Sequence, residues 1–186
     1  GPSFAFSFIW WGTCWKNGRV TEEVKRNYLE INSLNDLNES EQPSEDYKVN
    51  LIEPTDFQLN KFFYKNIGKK HKWIDRLIWN EEQWIKYVSN KNVKTFVLTN
   101  KKDLVGFFEL IIHLDKKEVE IAYFGILEEF QNKKLGSFLL SDAIKKSFQE
   151  NVDRVWLHTC SLDHKNALYN YLARGMKIFK SEIVKI

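Results

Sequence analysis

Two lysines and a glycine stand in a short turn, residues 131–137 (QNKKLGS), between a strand-like apolar run and an amphipathic helical pattern. The N-terminus of a helix presents free backbone N–H groups and the positive end of the helix dipole, an arrangement that binds phosphate. Gly136 lets a ligand approach the backbone closely, and Lys133 and Lys134 add positive charge. The pattern therefore indicates an anion site, although a plain strand-to-helix turn with solvated lysines fits the same residues equally well.

A second group of chemically capable side chains follows the strand-like run 154–160. His158 and Cys160 lie two positions apart, so on a strand they share a face, and Asp163 and His164 come shortly after. A cysteine nucleophile or a metal site would use such groups, but their spacing matches no familiar zinc pattern. We favour a buried strand thiol beside a hydrogen-bonded histidine, and we predict no metal.

The composition of the whole chain is that of one ordinary globular domain. It has 186 residues, of which 43% are hydrophobic and 28% charged, and a formal net charge of +3. A dedicated nucleic-acid binder carries a denser basic patch, and no apolar run is long enough to span a bilayer, so we predict neither a nucleic-acid nor a membrane partner. Two cysteines, Cys14 and Cys160, are typical of a reducing compartment, which predicts a cytoplasmic location.

A change of composition divides the chain near residue 46. Residues 1–46 are predicted to form an N-terminal aromatic arm, with its most apolar run at 4–15, followed by an acidic linker over 32–46. Residues 47–186 are predicted to form the main domain. Because the arm is rich in aromatic residues, we expect it to pack on this domain or on a second copy of the chain, which favours a homodimer.

Strand-like and helical patterns alternate along the main domain and must position the chemical groups. Asn80 with Gln83 three residues later matches the capping-box pattern, and Gly68 and Gly175 are natural helix stops. This order predicts an α/β fold, with a mixed sheet covered by helices. Strands are predicted over 47–52, 95–99, 104–114, 119–127, 154–160 and 176–186, and helices over 55–67, 80–89, 136–148 and 165–174.

The turn and its flanking elements resemble the GNAT superfamily of acyl-CoA-dependent N-acetyltransferases. That family carries the signature Gln/Arg-x-x-Gly-x-Gly/Ala after its fourth strand and holds the CoA pyrophosphate on backbone N–H groups there. The resemblance implies a GNAT-like, mostly antiparallel sheet and acetyl-CoA as co-substrate. Lys134 replaces the family's first glycine, and we expect its N–H to serve if its φ stays negative. The signature reads here Gln131, Asn132, Lys133, Lys134, Leu135, Gly136.

The match extends over residues 118–176. Glu120 stands six residues before Ile126, as in protein-acetylating members, and the pattern Ala-x-x-x-Tyr-x-x-x-Gly-Phe appears over 167–176 with Tyr171 as its tyrosine. The family pairs the pantetheine arm with backbone at the strand end, and His164 replaces its usual asparagine. The resemblance therefore implies this set of CoA-binding residues: Phe124, Gly125, Ile126, Gln131, Asn132, Lys133, Lys134, Leu135, Gly136, Ser137, His164 and Asn166.

The implied activity is transfer of an acetyl group from acetyl-CoA to a primary amine by direct attack. An amine with a pKa of about 10.4 must lose a proton first, and Glu120, between apolar strand residues, is the predicted general base. The backbone N–H of Ile126 is predicted to hold the oxyanion, and Tyr171 to protonate the leaving thiolate as general acid. A surface ion pair for Glu120 and a core role for Tyr171 are the structural alternatives. The alternative function is a non-catalytic acyl-CoA-binding module of the same fold.

An aromatic and charged segment lies where GNAT proteins place their acceptor site. Trp73, Asp75 and Arg76 form it, and the same Trp-x-Asp-Arg pattern recurs in a subgroup of small bacterial members. An aromatic wall with a carboxylate suits a cationic amine, so these residues are predicted to bind substrate. Helix-packing aromatics with a surface Asp–Arg pair are the alternative. The acceptor is predicted to be a small-molecule or peptide amine.

Overall fold

The centre of the fold is a seven-stranded sheet, in which most neighbouring strands run antiparallel. The computed structural model describes residues 23–71, 73–131, 134–163 and 166–185. The strand order is β2-β3-β4-β5-β6-β1-β7, with one parallel pair, β5 and β6. The strands are β1 Glu23–Ile31, β2 Tyr47–Leu51, β3 Val93–Asn100, β4 Asp103–His113, β5 Glu118–Ile126, β6 Arg154–Cys160 and β7 Lys177–Lys185.

Four helices cover the described part of the sheet, and the predicted α/β fold with a mixed sheet is confirmed. They are α1 Phe57–His71, α2 Glu81–Val88, α3 Leu135–Phe148 and α4 Ala167–Ala173. The capping box predicted from sequence is present at α2, where the Asn80 side chain accepts from the Gln83 N–H and the Gln83 side chain accepts from the Asn80 N–H. No helix in the described residues is both long and apolar enough to cross a membrane.

Two buried clusters lie on opposite faces of the sheet. On one face α3 buries Leu139, Leu140 and Ile144 against the strands. On the other face α1 and α2 bury a mainly aromatic cluster that includes Phe63 and Trp84. Burying one apolar side chain of this size contributes about 1.5–3 kcal/mol to the stability of the fold. The two clusters therefore hold the helices against the sheet.

Strands β5 and β6 separate after a short parallel stretch. They pair only from Glu118 to Glu120 on β5, opposite Arg154 to Trp156 on β6. On its other side β5 stays paired with β4 as far as Ile126, with a bulge near Glu109. Parallel strands that part in this way leave a gap in the middle of the sheet, and this gap positions the candidate site.

The strand β1 comes from the stretch that composition assigned to an N-terminal arm. It lies inside the sheet, antiparallel to both β6 and β7. The predicted linker is also ordered, because Asn38 donates its N–H to the Arg174 carbonyl at 2.9 Å and Ser40 donates to the Ser141 hydroxyl at 2.9 Å. The apolar run 4–15, with the rest of residues 1–22, lies outside the described residues.

Candidate active site

A cleft of about 500 Å³ opens where β5 and β6 separate. Its walls come from the end of α1, the second half of β5, the turn before α3, and α4. Asn132, Lys133 and His164 lie outside the described residues. Of the residues predicted from sequence, the cleft brings together Trp73, Phe124, Gly125, Ile126, Gln131, Lys134, Leu135, Gly136, Ser137, Asn166 and Tyr171.

The N-terminus of α3 faces this cleft. The first helical residues, Leu135 to Ser137, line it, and no side chain caps the helix within the described residues. A Cβ added to Gly136 would meet only the Asn170 side chain, at 3.7 Å. Free N–H groups of the first helical turn and the open approach to Gly136 together suit an anionic ligand.

Lys134 adopts a left-handed backbone conformation, with φ 59° and ψ 17°. A negative φ, the condition under which its N–H was expected to serve, is not met. The physical reason is that the chain reverses between the turn and the helix axis, a geometry that glycine adopts without a steric penalty and lysine does not. Lys134 therefore keeps the backbone shape of a glycine at the place where the sequence departs from the GNAT signature.

Gln131 connects the turn to the end of β5. Its side-chain amide donates to the Ile126 carbonyl at 2.8 Å. Next to Ile126, the absence of a side chain at Gly125 is required by packing, because an added Cβ would lie 2.7 Å from Ile67 on α1. The end of β5 and the start of α3 are thus held in fixed relation on one side of the cleft.

Tyr171 reaches the cleft from α4. Its side chain is largely buried and packs edge-on to Phe124, with ring centroids 6.5 Å apart. Burial, and then the nearby Asp163 carboxylate, raise the pKa of Tyr171. Its hydroxyl makes no hydrogen bond with any group in the described part of the chain. The hydroxyl is therefore protonated at neutral pH and available to a ligand.

Glu120 lies near the cleft but does not line it. The side chain is 2% exposed and its Oε1 is 3.2 Å from Nε2 of His113 on β4. The next residue along β5, Ile121, does line the cleft. The Glu120 carboxylate therefore stands back from the cleft lining, beside His113.

The three residues predicted to bind an acceptor take different positions. Trp73 lines the cleft and packs edge-on to Tyr123, with ring centroids 4.8 Å apart. Asp75 lies behind Tyr123 and accepts its hydroxyl hydrogen bond. Burial raises the pKa of Asp75 to about 6, against the lowering effects of Arg76 and of hydrogen bonds from the tyrosines.

Arg76 is enclosed in the aromatic core rather than open to the cleft. Its guanidinium pairs with both carboxylate oxygens of Glu109, at 3.1 and 3.2 Å, and both side chains are fully buried. Tyr87 donates to Glu109 at 2.7 Å, and its ring lies 4.2 Å from the guanidinium carbon. This burial argues against the predicted contact between Arg76 and an acceptor, because the charge is already neutralised by Glu109.

The structure also places His158 and Asp163, which the sequence singled out in and after the strand-like run 154–160, in the cleft lining. It adds Tyr123, for which the sequence gave no signal beyond its position before Phe124. Burial lowers the pKa of His158, so this imidazole is neutral at pH 7.

Cys160 is disulfide-bonded, so the expectation of a buried thiol there is wrong. Its place near the end of β6 gave no sign of this in the sequence.

No group of three or more His, Cys, Asp or Glu side chains that could hold a metal occurs within the described ranges. The cleft lining contains backbone N–H groups, tyrosines and a carboxylate. These groups combine an anion site at a helix N-terminus with proton donors and acceptors on the walls.

Comparison with known proteins places this arrangement in a family. Residues 56–176 match the model of the acetyltransferase (GNAT) family. No curated protein matches the chain.

Solved structures share the fold. A GCN5-related N-acetyltransferase from Sphaerobacter thermophilus has a TM-score of 0.68 at 13% identity, over 88% of this chain and 51% of its own. One from Kribbella flavida has a TM-score of 0.62 at 13% identity, over 86% and 56%. This chain thus spans about half the length of these two. A dodecameric spermidine N-acetyltransferase from Vibrio cholerae has a TM-score of 0.55 at 23% identity, over 71% and 80%.

Proposed function

The chain belongs to the GNAT family of acetyltransferases, and from this premise we propose that it moves an acetyl group from acetyl-CoA to a primary amine by direct attack. One observation carries the proposal: the uncapped N-terminus of α3, with open space in front of Gly136, faces the gap between β5 and β6. The CoA pyrophosphate binds the backbone N–H groups of the first helical residues, Leu135 to Ser137, where the helix dipole favours negative charge. The side chain of Gln131 keeps this turn against the strand end.

The acyl end of the co-substrate lies along the last residues of β5. Phe124, Gly125 and Ile126 offer backbone groups on the side of β5 where β6 has already separated. The amine nitrogen attacks the thioester carbon, the C–N bond forms, and the oxyanion accepts a hydrogen bond from the Ile126 N–H. Collapse breaks the C–S bond and leaves the CoA thiolate.

Proton transfers accompany these bond changes. Glu120 acts as general base through water, because its carboxylate is buried beside His113 and does not itself line the cleft. Tyr171 acts as general acid and gives its proton to the thiolate. Support for the second role comes from the position of Tyr171 in the cleft wall, with its hydroxyl protonated at neutral pH.

The acceptor is proposed to be a cationic amine on a small molecule or a peptide. Trp73 and Tyr123 supply an aromatic wall, and Asp75 behind it supplies negative charge. One structural relative is a spermidine acetyltransferase, and spermidine is such an amine. A homodimer and a cytoplasmic location belong to the same proposal. The sequence predicted the cytoplasmic location from reduced cysteines, and that reason does not apply to Cys160, which is disulfide-bonded. The proposed location therefore depends on the use of acetyl-CoA as co-substrate.

The alternative is a module of the same fold that binds acyl-CoA without turning it over. Its support is the position of Glu120, which is buried against His113 and does not line the cleft. An assay of CoA thiol release over a panel of polyamines, amino acids and peptide amines separates the two. We expect thiol release that depends on one class of amine. Binding of acetyl-CoA with no release for any amine would favour the alternative.

A further inference from the structure

Asp75 lies one hydrogen bond behind the cleft wall. The Tyr123 hydroxyl donates to both carboxylate oxygens of Asp75, at 3.1 Å each. The Tyr64 hydroxyl donates to Oδ1 at 2.9 Å and accepts the Arg76 N–H at 2.9 Å. Of these two tyrosines, Tyr123 lines the cleft. The carboxylate is thus one hydrogen bond from a residue that lines the cleft.

The proposed reaction releases two protons from the acceptor nitrogen. An acceptor that arrives as an ammonium loses one before attack and one after. Glu120 can hold only one of them at a time, and it lies next to Ile121, toward the start of β5. Tyr123 lies three positions further along the strand, beside the aromatic wall formed by Trp73. An amine held by this wall meets Tyr123 first.

The charges around Asp75 allow it to take up a proton near neutral pH. On its own segment Arg76 favours the ionised form, but that guanidinium is already paired with Glu109 from β4. Tyr64 from α1 and Tyr123 from β5 face the carboxylate, and Tyr87 from α2 donates to Glu109 behind them. Burial raises the pKa of Asp75 to about 6, so the carboxyl group is mostly ionised at pH 7. This pKa is close to the value of about 6.5 for a solvent-exposed histidine, so Asp75 can accept a proton near neutral pH.

We propose that Tyr123 and Asp75 form a proton-accepting pair that converts the acceptor ammonium into the attacking amine. This inference rests on the proposed function. The ammonium N–H gives its proton to the Tyr123 oxygen while the Tyr123 hydroxyl proton passes to Asp75. One N–H bond breaks, one O–H bond on Asp75 forms, and Tyr123 ends as it began. The ammonium and the carboxylate are both neutral after the step, which favours it in a partly buried site.

The pH–rate profile tests this pair. Because protonated Asp75 cannot accept a proton, kcat/KM should fall below about pH 6 in the wild-type protein. Asp75→Asn should lower kcat by about a hundredfold or more and remove this acid limb. Tyr123→Phe, which deletes one hydroxyl and keeps the ring, should lower the plateau by a similar factor.

Tyr64→Phe is the matched control, since it removes a hydrogen bond to the same carboxylate from the side away from the cleft. That hydrogen bond favours the ionised form of Asp75, so its loss should move the acid limb of the pH–rate profile to higher pH. The rate on the plateau of the profile should stay within a few-fold of the wild-type rate. The stabilisation of each variant by acetyl-CoA verifies that it folds and binds the co-substrate.

The outcomes distinguish failure of the Tyr123–Asp75 pair from failure of the proposed acetyltransferase activity. If the wild-type protein releases thiol with an amine while Asp75→Asn and Tyr123→Phe keep its rate and acid limb, the pair is overturned and the acetyltransferase activity stands. Equal losses in Tyr64→Phe and Tyr123→Phe would also overturn the pair, because they would show a structural role. A wild-type protein that releases no thiol with any amine would overturn both.

Discussion

The side-chain amide of Gln131 donates to the backbone carbonyl of Ile126 at 2.8 Å. This bond joins the turn that opens α3 to the last residue of β5. The two parts of the proposed acetyl-CoA site, the helix N-terminus for the phosphates and the strand end for the acyl chain, are therefore oriented before any ligand binds. Preorganised donors of this kind avoid a reorganisation cost at the moment of reaction.

The left-handed conformation of Lys134 leads to a prediction about stability. Lys134→Gly should raise the free energy of unfolding by about 1 kcal/mol, because glycine has no Cβ to clash at φ 59°. Lys134→Ala is the matched control, since alanine removes the same charge but keeps the Cβ. Urea denaturation of the three proteins measures the difference. An equal gain for alanine and glycine would show that charge, and not backbone conformation, destabilises this position.

The buried pair of Arg76 and Glu109 leads to a second prediction. Glu109→Gln should cost about 3–5 kcal/mol of stability, because it leaves the guanidinium buried without its counter-charge. The double variant Arg76→Met with Glu109→Leu should recover only part of that loss, because it removes the unpaired charge but leaves the buried donors of Tyr87 and Asn60 without the Glu109 acceptor. Denaturant unfolding checks both. A double variant as unstable as Glu109→Gln would mean that packing, and not unpaired charge, is responsible.

Loss of the Tyr171 hydroxyl should affect turnover and not binding. Tyr171→Phe should lower kcat by about tenfold or more with the affinity for acetyl-CoA unchanged, because only the proton donor to the thiolate is removed. Tyr47→Phe, on the edge strand β2, removes the same group far from the cleft and should leave both quantities as they are. A Tyr171→Phe variant with the wild-type kcat would contradict the general-acid role.

Glu120 is tested against a neighbour on the same strand. Glu120→Gln should lower kcat by about a hundredfold if its carboxylate accepts a proton through water. Glu118→Gln loses only a partly exposed ion pair with Arg154, and kcat should change little. Steady-state thiol release measures both variants. Wild-type turnover in Glu120→Gln would remove Glu120 from the mechanism.

Local features of the fold could be predicted from the sequence. Three of them are the capping box at Asn80, the helix stop at Gly175 and the amphipathic pattern of α3. Each depends on residues that lie close together in the chain, so a short stretch of sequence is enough to predict it. The cleft-lining residues around Gly136 followed from the resemblance of residues 131–136 to a family signature. These parts needed no knowledge of distant contacts.

Long-range pairings could not be predicted in the same way. The place of β1 between β6 and β7 depends on partners more than a hundred residues away, and nothing in its nine residues specifies them. The pairing of Arg76 with Glu109 follows from the packing of a loop on β4, so Arg76 was assigned to the acceptor site from its neighbours in sequence. The positive φ of Lys134 is set by how the turn meets α3 and not by residue type.

The central claim is that acetyl-CoA binds at the N-terminus of α3, and a thermal melt with this ligand tests it most directly. At a hundred times its Kd, acetyl-CoA should stabilise the protein by about 2.7 kcal/mol, a rise in melting midpoint of about 5–10 °C. Gly136→Phe, which fills the open space in front of the helix, should abolish this shift while keeping the melting midpoint without ligand.

Leu172→Phe, at an exposed position on α4, is the control for a bulky substitution and should keep the full shift. A shift in the wild-type protein that Gly136→Phe loses and Leu172→Phe keeps is the result we predict. No shift at millimolar acetyl-CoA, or an undiminished shift in a folded Gly136→Phe variant, would contradict the account.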